Sequence, residues 1–186
     1  LSLFDGISGC RVALERAGVD VDAYYASEID PYPISISEFN YPDNINLGDV
    51  CAIKGSDLGH IDLLAAGSPC QGFSLAGRRL NFDDPRSGLI KQFFRILGEL
   101  REINPNIKFF LENVVMRKDI KDAISAELGV DCIKVNSALV SAQNRPRLYW
   151  TNISHPTIED RGILLRDVLE TGEEMGAVRG RYTEDG

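Results

Sequence analysis

The sequence predicts an α/β fold: a mixed, mostly parallel sheet with helices on both faces. Three observations carry that expectation. Short apolar runs alternate with amphipathic segments along the chain, the pattern of strands joined by crossover helices. One run, Ile61 to Ala66 (IDLLAA), is almost continuously apolar, as a central parallel strand covered on both faces must be. Polar residues gather where the runs end, at Asp5-Gly6, Glu28, Asp49, Ser68-Pro69-Cys70 and Glu112-Asn113. Ligands of open α/β sheets bind beyond the carboxyl ends of the strands. Strand ends so rich in Asp, Glu, Cys and Gly exceed what core packing needs and mark a site.

The elements follow in order. Leu1 to Phe4 reads as a strand broken by Gly6 and Gly9. Val12, Ala13, Leu14 and Ala17 then recur at helical spacing until Gly18 stops the run. Val21 to Ala26 reads as a second strand, and Ile34 to Phe39 as a helix entered through Pro31. A short strand around Ile45 leads into Gly48-Asp49-Val50. After the IDLLAA strand, Leu89 to Ile103 has a helical period closed by Pro105. Lys108 to Leu111 is a strand, a helix follows near Asp119 to Leu128, and Val130 to Val135 and Leu148 to Thr151 complete the set. Beyond Pro156 the chain turns Gly- and charge-rich around one apolar run, Gly162 to Leu169. It opens inside its first strand with no initiating Met. We therefore expect a segment of a longer protein, with one domain over 1–156 and the start of a further region over 157–186.

A chain of 186 residues is long enough to bury one domain core. Its 44% apolar and 26% charged content excludes a disordered tail, a collagen-like repeat and a disulfide-stapled miniprotein. No uninterrupted apolar stretch reaches membrane-spanning length, and no basic-then-apolar leader opens the chain. The expectation is a soluble cytoplasmic protein with no membrane partner. Twenty Lys and Arg against 28 Asp and Glu leave a net charge of −8, which argues against a broad basic nucleic-acid face. Local clusters decide binding, however: Arg78 and Arg79 are adjacent, and Arg145 and Arg147 form a second basic spot. Cys10, Cys51, Cys70 and Cys132 make no CxxC pair, and His60 and His155 have no ligand at zinc spacing, so no metal site is expected. Cys10, Cys51 and Cys132 read as small core fillers.

In LSLFDGISGC, Gly6 and Gly9 allow a tight turn and a ligand at the helix N-terminus. The spacing is not GxGxxG, and Asp5 would repel a pyrophosphate. Glu28 closes the second strand about twenty residues on, where an acid accepts from ribose hydroxyls. Asp49 stands where a carboxylate accepts from an adenine amino group. Each alone reads equally well as a tight turn or a solvated strand-end acid. Together they describe a nucleoside pocket without a phosphate cradle, which suits S-adenosylmethionine better than NAD or ATP. Cys70 lies in GSPCQGFS directly after an apolar strand. Pro69 fixes the backbone there, and Gly67 and Gly72 give room. A cysteine so placed reads as a nucleophile rather than a core thiol.

FDGISG, GSPCQGFS, FFLENV and QNRPRLYW, in this order, closely resemble the blocks of the DNA cytosine-5 methyltransferases. The resemblance runs from Leu1 to about Ile153, with a weaker echo in LLRDVLE. It implies a Rossmann-like S-adenosylmethionine-dependent methyltransferase fold and double-stranded DNA as partner, in a bacterial or phage modification system. Phe4, Asp5, Gly6 and Ile7 match the turn that holds the cofactor. Glu28 matches the ribose acid, with Ile29 against the adenine, and Asp49 and Val50 match the adenine-edge pair. Leu89 matches a residue lining the same pocket. Cys70 matches the nucleophile, Glu112 the acid holding the target base, Arg147 the arginine contacting that base, and Arg145 the other arginine of its block. The polar segment from Cys70 to Arg86 resembles a loop that closes over flipped DNA, with Arg78 and Arg79 toward phosphates. LLRDVLE leads toward the family's target-recognition region, so 157–186 are expected to be its start, with the rest of that region and the family's last block expected beyond these 186 residues.

The implied chemistry needs these residue types. Carbon 5 of cytosine is a poor nucleophile, so a thiolate must first add to C6. A glutamic acid side chain hydrogen-bonding N3 and the exocyclic amine, with an arginine at O2, then stabilises the charge that develops. Two other readings compete: an RNA cytosine methyltransferase of the same fold, and a non-catalytic methyltransferase-like module. The Cys-Phe-Thr signature of tRNA-acting relatives is absent, and Cys70, Glu112 and Arg147 are all present. An NAD oxidoreductase is remote without GxGxxG.

Overall fold

The computed structural model describes residues 1–69 and 88–169. Its strands are β1 (Ser2–Leu3), β2 (Tyr25–Ser27), β3 (Ile45–Asn46), β4 (Leu63–Gly67), β5 (Lys108–Val114), β6 (Ile133–Asn136) and β7 (Pro146–Thr151). The helices are α1 (Gly9–Arg16), α2 (Pro31–Asn40), α3 (Gly88–Ile103) and α4 (Lys118–Leu128). The strands form one sheet in the order β3-β2-β1-β4-β5-β7-β6. Pairings from β3 through β5 are parallel, and β7 runs antiparallel to β5. The predicted mixed, mostly parallel sheet is what the chain forms.

Local chemistry sets the helix ends. Asp30 accepts from the Tyr32 amide at 3.0 Å and Pro31 takes the first helical position, so α2 starts there. Gly129, at φ 69°, ends α4 in a left-handed cap. In α3 the buried positions Ile90, Phe93, Ile96, Leu97 and Leu100 form one apolar stripe. That stripe shares a core with Leu3, Leu64, Ala66, Phe109, Leu111 and Trp150 of the sheet and with Ile120, Ile124 and Leu128 of α4. Trp150 is fully buried, and its indole N–H donates to Ser125 Oγ at 2.9 Å, fastening β7 to α4. The alternate strand positions Ser2, Ala26 and Ala65 are small and also buried.

Three local expectations differ. The second strand pairs over Tyr25–Ser27 and not from Val21, because its neighbours β1 and β3 supply only two residues each. Glu112 lies inside β5 and not at its end, since β7 pairs with that strand as far as Val114. Of the three cysteines expected in the core, Cys51 is exposed and Cys10 and Cys132 are half-buried; Cys51 sits in a solvent-facing 3-10 turn, Val50–Ala52.

Contacts divide the chain into two units. The first comprises 1–135 with 146–156; the second comprises 136–145 with 157–186. In the second, Ser137 N bonds to Arg145 O, and Arg161 N bonds to Leu139 O. In the first, β1 leads through α1 to β2 on one side, and β4 leads through α3 to β5 on the other. The strand order thus reverses between the parallel β1 and β4, and ligands of such sheets sit at that point. No helix among the described residues is long and apolar enough to cross a membrane.

Candidate active site

The turn after β1 has an uncommon backbone. Phe4, Gly6 and Ser8 all take positive φ, at 56°, 60° and 64°. Gly6 does so freely, whereas a side chain there costs about 1–2 kcal/mol per residue. The surroundings must therefore hold Phe4 and Ser8 in place. The Asp5 amide donates to Ser27 O at 3.1 Å, tying the turn to β2. Ser8 is fully buried and precedes α1, yet its hydroxyl does not cap the helix. It donates instead to Asp5 Oδ2 at 2.7 Å, while Tyr24 Oη donates to Asp5 Oδ1 at 2.6 Å. Burial pushes the Tyr24 phenol far above its ordinary pKa, so it remains a donor.

Glu28 closes the rim from β2. Its Oε2 accepts from the Gly6 amide at 2.9 Å, and its Oε1 accepts from the amides of Ile29 and Asp30 at 2.8 and 3.0 Å. No cation among the described residues pairs with Asp5, Glu28 or Asp49. Beside this acidic rim, Ile7 and Ile29 are 56% and 72% exposed. Carboxylates flanked by uncovered apolar side chains suit a flat ring carrying hydroxyl or amino groups, and repel phosphate. Asp49 is exposed and caps the Cys51 amide at 2.9 Å. Val50 is only 4% exposed, so its side chain belongs to the core and its backbone alone can meet a ligand. Leu89, in the first turn of α3, is half-buried and packs against the same core.

Two supports of this rim escaped the sequence reading. Asn46 accepts from the amides of Glu28 and Gly48 and returns its Nδ2 to Glu28 O. Arg95 binds Glu99 at 2.7 Å and Ile53 O at 2.8 Å, and Glu99 accepts from the Gly55 amide at 2.6 Å. This clamp docks the segment after Asp49 onto α3, and a Cβ at Gly55 would meet Ile96 O at 3.2 Å. Desolvation pushes the Glu99 carboxyl up, but the bonds from Arg95 and Gly55 outweigh it and hold the group below its ordinary value. Neither support has a sequence signature, because both link residues distant in the chain.

Across the switch point, Gly67 of β4 pairs with Glu112 of β5, and a Cβ at Gly67 would lie 3.5 Å from Glu112 Oε2. Arg147 Nε pairs with Glu112 Oε1 at 2.8 Å, with side chains 18% and 25% exposed. Arg147 also donates to Pro146 O at 2.9 Å. The structure thus brings Glu112 and Arg147 together. Arg145 belongs to the second unit, where it is exposed and its amide donates to Asn136 Oδ1 at 2.9 Å. Cys70, Arg78 and Arg79 lie outside the described residues.

Asn113 is 1% exposed and donates to Ser68 Oγ at 2.9 Å, while its Oδ1 accepts from the Val114 amide at 2.8 Å. Ser68, itself buried, is the second residue before Cys70. Asn113→Ala strands these polar partners in the interior, and is expected to lower unfolding free energy by about 1–3 kcal/mol in urea titrations. An unchanged midpoint would mean that the bond has no structural weight.

Residues 1–124 match the family model for C-5 cytosine-specific DNA methylases. The type II methyltransferase M.NgoBV of Neisseria gonorrhoeae is 39% identical over 199 residues, covering 92% of this chain and 46% of that protein. The orphan methyltransferase M.SPRI of Bacillus phage SPR is 35% identical over 192 residues, covering 94% of this chain and 43% of that protein. The crystal structure of a DNA modification methyltransferase encoded within an E. coli prophage matches with a TM-score of 0.64 at 28% identity, covering 81% of this chain and 44% of that one. The chain spans a little under half the length of these curated relatives.

Proposed function

We propose, since the chain belongs to the C-5 cytosine-specific DNA methylase family, that it is the core of a DNA cytosine-5 methyltransferase. The reaction moves a methyl group from S-adenosyl-L-methionine to C5 of a cytosine flipped out of double-stranded DNA. The observation that carries this reading is the Glu112–Arg147 pair beside Gly67, on the same sheet edge as the acidic rim of Asp5 and Glu28. An exposed Ile7 and Ile29 around Glu28 fit an adenosine and not a pyrophosphate. The bacterial and phage relatives favour a role in a modification system. Residues 1–156 form the S-adenosylmethionine-binding catalytic domain in this reading, and 157–186 begin the target-recognition region.

S-adenosyl-L-methionine supplies an electrophilic methyl on a sulfonium, leaving as S-adenosyl-L-homocysteine. Phe4, Asp5, Gly6, Ile7, Glu28, Ile29, Asp49, Val50 and Leu89 are the residues assigned to hold it. Cys70, reached three residues after Gly67, adds as thiolate to C6 of the base. Glu112 hydrogen-bonds N3 and the exocyclic amine, and Arg147 binds O2, so charge pushed into the ring meets fixed partners. The S–C6 bond forms as the C5–C6 π pair becomes available at C5. Loss of the C5 proton after methylation restores the double bond and expels the thiolate. The base leaves the stack to be reached, as this chemistry requires.

The test uses the full natural chain with labelled S-adenosylmethionine and unmethylated duplex DNA, digested to nucleosides. Label in 5-methylcytosine is the expected result; label confined to an RNA substrate, or none, overturns it. Glu28→Ala removes a charged acceptor, and is expected to weaken cofactor binding by about 1–3 kcal/mol. Calorimetry with an unchanged dissociation constant would remove Glu28 from the ribose site.

A further inference from the structure

A chain of hydrogen bonds runs beneath the turn after β1, and its polarity is fixed by its ends. Arg11 can only donate, and an ionised Asp5 can only accept. Arg11 Nη1 donates to Asn44 Oδ1 at 3.2 Å. Asn44 Nδ2 therefore points inward, donating to Ser8 Oγ at 3.0 Å and Ser37 Oγ at 3.2 Å. The Ser8 hydroxyl is committed to Asp5, so at the 2.6 Å contact between Ser8 and Ser37 the donor is Ser37. Tyr24 reaches Asp5 from the other side. Every proton points toward one carboxylate, and Ser8, Tyr24 and Ser37 are all buried. Arg11 is itself set between the rings of Tyr24 and Tyr41, 5.5 and 5.4 Å from their centroids.

We propose that Tyr24 and Ser37 are positioning residues for the methyl donor, holding the Phe4–Ser8 turn through Asp5 and Ser8. The proposal rests on the reading of that turn as the S-adenosylmethionine site. Both oxygens of Asp5 are engaged by side chains on the protein side. Asp5 thus acts on the cofactor through the backbone it fixes. The geometry it fixes is costly, because Phe4 and Ser8 on either side of it are left-handed. Ser8 gives up helix capping to serve this network, so α1 begins without a side-chain cap beside the ligand turn. Losing Tyr24's bond to Asp5, or Ser37's bond to Ser8, lets the turn relax away from the shape the donor needs, without touching Glu112 or Arg147.

Tyr24→Phe and Ser37→Ala each delete one donor and little volume, on opposite sides of Asp5. In the full natural chain, each is expected to raise KM for S-adenosylmethionine and the calorimetric Kd for S-adenosylhomocysteine about five- to tenfold, as loss of one buried bond implies. Turnover at saturating donor and KM for DNA stay within about twofold of wild type. Ser37→Thr keeps the hydroxyl and is expected to restore affinity. A lowered Tm with unchanged Kd in the variants overturns the positioning role and leaves a structural one. A fall in kcat with KM unchanged also overturns it. A wild-type chain that binds no S-adenosylhomocysteine brings down the reading of the turn together with this proposal. Wild-type binding equalled by both variants brings down the proposal alone.

Discussion

Cys70→Ala is expected to abolish methyl transfer, by about four orders of magnitude or more, while S-adenosylmethionine binds nearly as before. The asymmetry follows from chemistry. Cytosine C5 gains nucleophilic character only after a nucleophile adds at C6, so without the thiolate the methyl has no acceptor. The rim proposed to hold the cofactor comes from the turns after β1 and β2 and the segment after β3, none of which contains Cys70. Cys70→Ser is expected to be nearly as inactive, because a hydroxyl does not ionise in the working range. The other thiols give no substitute. Burial pushes Cys10 and Cys132 above the ordinary thiol value, and desolvation together with the neighbouring Asp49 does the same to Cys51. A thiol shifted that way carries less thiolate at neutral pH, so alanine at those three positions should leave turnover intact. Release of labelled 5-methylcytosine by Cys70→Ala would remove Cys70 from the mechanism.

Where acids border the apolar runs was legible in the sequence, because residue type changes there. Glu28, Asp49 and Glu112 are acids bordering apolar runs, where burial alone would favour apolar residues. IDLLAA announced β4, which does occupy the middle of the sheet. The antiparallel course of β7 was not legible, since apolar periodicity carries no direction. Only the nine residues between β6 and β7 argue against a crossover helix. That missing direction is also why Glu112 was expected at a strand end: β5 extends to Val114 because β7 supplies its partners. The buried polar chain from Arg11 to Asp5 was invisible for another reason. Its members are scattered from residue 5 to residue 44, and a Ser or Tyr destined for such a network looks like any other. Asn113 stands within FFLENV, yet its bond to Ser68 spans 45 residues and needs the β4–β5 register to be seen.

Glu112→Gln is expected to lower kcat by about 10²–10³ with fold and cofactor affinity retained. The amide keeps the shape and the acceptor for the exocyclic amine, but it cannot hand N3 a proton as electrons move toward that atom, which a carboxyl group can. The competing view is that Glu112 only completes an ion pair with Arg147, 2.8 Å away. That view makes a different prediction. A pair whose side chains are 25% and 18% exposed contributes on the order of 1 kcal/mol, discounted for solvent screening. Its loss would lower Tm slightly and leave the turnover of folded protein alone. Measuring kcat at saturating DNA and cofactor, together with Tm, therefore separates the two. A double-mutant cycle sharpens the separation. If Glu112 and Arg147 grip one base as a unit, Glu112→Gln with Arg147→Ala should cost much less than the sum of the two single effects on kcat. Were Glu112→Gln to turn over within twofold of wild type, the carboxylate would have no part in holding the base, and the Arg147 contact would have to orient it alone.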